Sequence, residues 1–398
     1  MLHTIDFPDD AVETSNFSSQ AVLGVIEWLS SDECHDIDDA GLIAGLGRRL
    51  RTAQLPIDQV ALHLRTLHPE ILGRTLCWEP NGLVEIRDRE HGIQFSANFV
   101  HSPVRHAMEH NETVNIRVDR IDDGPWTLID IYEDRGLVEL MICPLNTTSG
   151  PVSAASFATK RPGGFSDLER DAINRVIPAL RSCCELRTLR KVELTLLDTY
   201  TGATTAQRIL AGHIRRGEVE TLEAALLLCD LRGFTELSNR LPGACVIEIL
   251  DTYFDLVMPA ITEAGGEVVK FMGDALLAFF PGANAADACA RALQAARAAL
   301  RRLASYDGEE ALHAGIALHY GEVSYGNIGS GRRLDFTVIG PDVNLISRIQ
   351  SVCSSSGHPL LASARFAELL DDPSAVPAGE HHLKGFNAPA TLFRFDAE

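Results

Sequence analysis

At 398 residues the chain exceeds one ordinary core, so two domains are expected, and a composition of 45% apolar, 23% charged and 6% aromatic residues is that of a soluble globular protein. Fifty-five acidic against 35 basic residues give a formal charge of -20, which repels phosphate backbones and anionic lipids and argues against nucleic acid as a partner. No apolar run reaches the roughly 20 residues of a membrane span, the stretch from Met1 to Asp10 lacks the marks of a signal peptide, and the expected location is cytoplasmic.

Residues 1–55 read as a helical lead-in. Ala21, Val22, Val25, Ile26 and Leu29, then Leu42, Ile43, Leu46 and Leu50, recur at helical spacing. From 56 onward the pattern changes to short alternating runs such as Gln59 to Leu64 and Leu137 to Ile142, separated by Asn, Gly and Pro, which predicts an antiparallel sheet with flanking helices. Ser166 and Glu169 form a capping-box pair that opens a long helix. Farther along it Leu186, Leu189, Val192 and Leu196 repeat at steps of three and four. That spacing suits a two-stranded coil between copies of the chain and equally a helix packed within one chain. Residues 186–220 read as a helical connector between a domain at 56–185 and another at 221–398. The nine cysteines include no CxxC pair and several lie in apolar runs, so buried reduced thiols are expected.

The C-terminal half predicts a strand over 224–229, a helix over 244–261, a hairpin over 267–280, a helix over 285–303, strands over 313–320, 323–328 and 335–339, and a helix over 343–352. The order strand, helix, two strands, helix, strand is that of a ferredoxin-like sheet with its helices on one face. The fold class is α+β in both halves.

Asp230 ends a nearly all-apolar strand, and Asp274 follows the turn glycine of an apolar hairpin. A carboxylate in such a place is costly unless paired, hydrogen-bonded or bound to a cation. Two of them at strand ends suit hard divalent ions that keep positions open for phosphate and water.

The segments Cys229 to Thr235, Lys270 to Asp274 and Phe336 to Arg348 resemble the three signatures of class III adenylyl and guanylyl cyclases, in the family's order. The resemblance covers roughly residues 220–398. It implies an adenylate cyclase that converts ATP to cyclic AMP and pyrophosphate, with two divalent cations (Mg2+ or Mn2+) held by Asp230, Asp274 and the carbonyl of Leu231. It implies phosphate contacts at Gly233, Phe234, Thr235 and Lys384, and catalytic roles for Asn344 on the ribose and Arg348 on the α-phosphate. Lys270 and Thr337 occupy the base-selecting positions, and a lysine there implies adenine. A lysine and threonine pair is similar to the bicarbonate-responsive branch of the class, so a bicarbonate response is a further expectation. Pro341 departs from the family pattern, which more often has aspartate there; Asp342 stands beside it.

Because the family draws its metal and catalytic residues from opposite subunits, the resemblance also implies a homodimer. The alternatives are a guanylate cyclase, which Lys270 argues against, or an inactive cyclase fold acting as a nucleotide-binding regulatory module.

In the front half, Phe157 to Phe165 followed by the long exit helix resembles the close of GAF-like sensory domains, implying a small-molecule ligand of the N-terminal domain. His63, His68, His101 and His106 have no metal-ligand spacing and read as scattered surface histidines.

Overall fold

The computed structural model describes residues 18–119, 126–127, 129–148 and 150–396. Residues 1–17, which include the start of the expected lead-in and the stretch inspected for a signal peptide, lie outside the described residues. The chain forms two compact units, residues 1–196 and 197–398.

In the first unit three helices, α1 (Ser19–Leu29), α2 (Asp32–Asp36) and α3 (Asp39–Thr52), precede the sheet. Each begins at a side-chain cap: Ser18, Ser31 and Asp38 accept from the backbone N–H groups of Ala21, Cys34 and Gly41. Six strands follow: β1 (Gln59–Arg65), β2 (Ile71–Trp78), β3 (Val84–Glu90), β4 (Val114–Arg117), β5 (Glu139–Leu145) and β6 (Ser153–Thr159), interrupted by the helices α4 (Ala97–Val100), α5 (Pro103–His110) and α6 (Ile129–Asp134). They make an antiparallel sheet in the order β3-β2-β1-β6-β5-β4.

Alternation along the strands divides the sheet into two faces. Val60, Leu62, Leu76, Trp78 and Phe157 join Val25, Leu42, Ile43 and Leu46 in one core, so the helical spacing in the lead-in marks the stripe that covers this face. The long helix α7 (Asp167–Thr201) adds Ile173, Val176, Leu180, Cys183 and Cys184 to the same core. Its capping box is present: Ser166 N–H donates to Glu169 Oε2 at 2.8 Å, and Glu169 N–H to Ser166 Oγ at 3.4 Å. Beyond the core, Leu186 and Leu189 of α7 are 54% and 45% exposed. All nine cysteines are free thiols, seven of them buried.

The second unit runs α8 (Ala203–Leu210), β7 (Val219–Leu231), α9 (Phe234–Arg240), α10 (Gly243–Glu263), β8 (Glu267–Met272), β9 (Ala275–Phe280), α11 (Ala285–Ala304), β10 (Ala314–Ser330), β11 (Arg333–Ile339), α12 (Pro341–Ser356), β12 (Leu360–Ser363), α13 (Ala364–Leu370), β13 (Val376–His381) and β14 (Ala390–Arg394). Its sheet order is β13-β14-β12-β10-β7-β9-β8, with β11 paired to β10. The four strands of the βαββαβ core stand as β10-β7-β9-β8, which is the ferredoxin-like arrangement.

One expectation needs correction. The strands expected over 313–320 and 323–328 are one strand, because β10 stays in register with β7 from Ala314↔Leu231 to Gly326↔Val219. A Cβ at Gly321 would lie 2.1 Å from the Asp342 carboxylate, so the glycine admits a close approach of α12. The two helices of the core, α10 and α11, share one face as expected, and α12 covers the other. Ala225, Leu227 and Cys229 pack with α10, α11 and α13, whereas Ala224, Leu226 and Leu228 pack with Ile346, Ile349 and Cys353 of α12. No helix among the described residues is long and apolar enough to cross a membrane.

Candidate active site

Asp230 is the penultimate residue of β7 and stands opposite Ala275, the first residue of β9. Asp274 precedes Ala275 in a turn whose Gly273 adopts φ +71°, a conformation that favours glycine. The two aspartates are therefore neighbours. Burial, and then the adjoining Asp274 carboxyl, push the Asp230 carboxyl above its ordinary range. Two neighbouring carboxyl groups supply the oxygen donors a hard divalent ion requires. The residues present fit such an ion, although no group of three or more His, Cys, Asp and Glu converges among the described residues. Leu231, the last residue of β7, is buried.

After Leu231 the chain turns through Gly233 at φ +74° into α9. No side chain caps this helix, so its first amide groups are free to meet an anion. Phe234 packs against the core while Thr235 is exposed.

Arg232, which the sequence reading passed over, reaches the far end of α12. Its guanidinium donates to the carbonyls of Gly357 at 3.0 Å, Cys353 at 3.3 Å and His358. A cation at a helix C-terminus satisfies carbonyls that have no partner within the helix and matches the helix dipole. Gln350 Nε2 adds a bond to Gly315 O at 2.9 Å, directly across β10 from Asp230.

The other end of α12 is fixed separately. Pro341 occupies its first turn, where a missing N–H costs nothing. Asp342 accepts from the Glu322 N–H at 2.7 Å and faces His319 Nε2 at 3.1 Å, while His319 Nδ1 meets Ser363 Oγ at 2.7 Å. Burial holds the His319 imidazole below its ordinary range against the opposing pull of Asp342.

Gly321 pairs with Ala224, six residues along β7 from Asp230, so the first turn of α12 is anchored roughly 20 Å from the level of the carboxylate pair. Asn344 lies in that first turn and is exposed; Arg348 is half-buried one turn later. Ile346, Ile349 and Cys353 take the sheet side of the helix, which leaves Asn344, Ser347, Arg348 and Ser351 on the outer side. No ion pair or hydrogen bond within the described chain joins Arg348 or Asn344 to Asp230 or Asp274.

Lys270 on β8 meets Asp335 Oδ2 at 3.0 Å. Asp335 is two residues before Thr337 on β11 and therefore on its face of the strand. Thr337 is 2% exposed, and its Oγ1 is buried without a hydrogen-bond partner. A native structure rarely leaves such a group unsatisfied without a reason. The two positions expected to select the base are thus linked through Asp335, an additional acid that the sequence reading did not single out. Lys384 follows buried Leu383 and is exposed, far along the chain from these groups in a turn at Gly385, φ +90°.

Residues 218–393 match the family described as the adenylate and guanylate cyclase catalytic domain. An adenylate cyclase of Anabaena cylindrica is 31% identical over 173 residues, 41% of this chain and 34% of the relative. A terminal-differentiation specific adenylate cyclase of Dictyostelium discoideum is 26% identical over 262 residues, 64% of this chain and 11% of the relative. The matched segment thus spans about a third or less of these relatives' length. The crystal structure of the adenylyl cyclase CyaB from P. aeruginosa aligns over 45% of this chain and 96% of that one, at 26% identity and a TM-score of 0.41.

Proposed function

We propose, from the match of residues 218–393 to the adenylate and guanylate cyclase catalytic domain, that the protein is an adenylate cyclase acting as a homodimer under control of its N-terminal unit. The observation that carries this reading is the Asp230 and Asp274 carboxylate pair, set at adjoining strand ends beside the uncapped start of α9. When bound, two divalent cations (Mg2+ or Mn2+) supply positive charge that makes the ribose 3'-hydroxyl more acidic and neutralises the triphosphate.

Asp230, Asp274 and the Leu231 carbonyl hold those ions. The amides of Gly233, Phe234 and Thr235 receive phosphate oxygens, and Lys384 serves the terminal phosphate. Arg348 donates to the α-phosphate as the 3'-oxygen displaces pyrophosphate, and Asn344 orients the ribose. Lys270 donates to adenine N1. Thr337 accepts from the adenine amino group, a role that fits its buried, unpartnered oxygen.

The outward direction of Asn344 and Arg348, with the anchoring of α12 at both ends, supports a site completed by the partner's copy of this helix. The exposed Leu186 and Leu189 of α7 support a helical contact between the two copies. The N-terminal six-stranded antiparallel sheet with helices on both faces is consistent with a GAF-like sensory domain.

The test is direct. Purified full-length protein with manganese is given ATP and GTP in parallel, and cyclic AMP and cyclic GMP are measured. Cyclic AMP as the preferred product supports the proposal; preference for cyclic GMP makes the protein a guanylate cyclase. Absence of both products from a verified dimer leaves a nucleotide-binding regulatory module, and the bicarbonate response is read in the same assay by adding bicarbonate.

A further inference from the structure

The second face of the N-terminal sheet holds a cavity of about 370 Å³, within the size range of small-ligand pockets. Its floor is laid by pairing register. Arg65, Gly73 and Arg89 form one row across β1, β2 and β3; His63, Thr75 and Arg87 form the next. All six line the cavity, and all lie on one face because strand side chains alternate. Its opposite wall is apolar: Phe99, Val104, Met108 and Ile131.

The charge of this lining is unusual for the molecule. In a chain of net charge -20, the described lining residues include four arginines and no aspartate or glutamate. Arg74 and Arg87 are ion-paired outside, to Asp88 and Glu85. Arg65 and Arg89 have no ion pair among the described residues. Arg65 Nε is buried without a hydrogen-bond partner, and Arg89 Nε has a single 3.4 Å contact with Thr75 Oγ1. Glu109, whose field acts on Arg65, is already held by Arg105 at 2.6 Å. His63 Nε2 sits 3.4 Å from Ser156 Oγ. A half-buried guanidinium whose Nε is buried without an acceptor, as in Arg65, is costly, and the planar donors of an arginine match the paired oxygens of a carboxylate or phosphate.

We propose that this cavity binds a small organic oxyanion, a carboxylate or a phosphate ester carrying an apolar body, with Arg65 and Arg89 on the oxyanion and Phe99, Val104, Met108 and Ile131 around the body. The site is independent of the catalytic reading, since every residue in it belongs to the first unit.

Phenylacetate, phenyl phosphate and the neutral phenylacetamide serve as probes on the full chain, read by thermal unfolding and hydrogen exchange. At least one anion raises the unfolding temperature saturably and protects amides of β1, β3 and residues 93–104; the amide does neither. The two anions compared show which oxyanion is preferred. Replacing both arginines (R65Q with R89Q) weakens anion binding about tenfold or more. Arg65→Met, which removes a buried donor lacking an acceptor, raises the unfolding temperature without ligand while weakening the anion response. A structural arginine would do the reverse. The proposal is overturned by no saturable response to either anion, an equal response to the amide, protection confined to residues 197–398, or an unchanged response in Arg65→Met. The last three are readable even if the double variant does not fold.

Discussion

Arg232 stands two residues after a metal-binding candidate and spends its guanidinium on the carbonyl end of α12. Arg232→Ala is expected to lower unfolding free energy by about 2 kcal/mol, the scale of a hydrogen bond to a charged group, measured by urea denaturation. Asp274→Ala and Arg348→Ala are each expected to lose activity, Arg348→Ala by about a hundred- to thousandfold in kcat. A second residue-scale effect concerns His63. Burial, and after it the charge of Arg89, holds this imidazole at about 4 against an ordinary 6.5. Between those values the unfolded chain binds more protons than the folded one. Stability is therefore complete above about pH 6.5 and is lost as pH falls toward 4, with a slope of at most about 1.4 kcal/mol per pH unit. Chemical denaturation across that range, compared with His63→Gln, reads the effect; an identical slope in the variant would refute it. Asp230 and Asp274 were legible because an acid at the end of an apolar strand demands an explanation. His63 was not, since it was grouped with surface histidines and its half-buried place depends on Arg89 and Ser156, both distant in sequence.

At the scale of elements, periodicity located the main helices and strands between β7 and α12, while α8, α9 and every element after α12 went without an expected range, and the continuity of β10 and the face that α12 covers escaped it. Gly321 lies in the gap between the strands expected over 313–320 and 323–328. What it records is the passage of Asp342 over an unbroken strand. Gly47 of α3 is another close approach: a Cβ there would lie 2.0 Å from the Trp78 ring. Gly47→Ala gains about 1 kcal/mol of helix propensity but forces a large buried ring to move. Overpacking of about 1–3 kcal/mol is expected to prevail, so the thermal midpoint should fall. On α7 the exposed leucines predict that Leu186→Ser with Leu189→Ser weakens self-association without unfolding the chain, checked by sedimentation with circular dichroism. An unchanged dimer would remove α7 from the interface.

At the scale of the whole molecule, the shared-site reading makes a sharper demand. Mixing the inactive Asp274→Ala and Arg348→Ala proteins should restore partial activity, because a heterodimer contains one undamaged site. Heterodimers that form and stay inactive would refute the division of the site between subunits. Removing residues 1–195 should alter the rate or its regulation while some chemistry survives; complete loss in a folded, dimeric fragment would tie catalysis to the N-terminal unit.

By itself the sequence singled out the candidate positions and the main helices and strands from β7 to α12, because both signals are local: a motif is a run of neighbours, and a period is a spacing along the chain. Only the tertiary structure decided that α12 covers the second face of the sheet, that Arg232 locks its end, that Lys270 finds Asp335, and that Arg65, Arg89 and His63 line one cavity. Those relations arise from strand pairing and packing between residues far apart in sequence, and no local pattern encodes them.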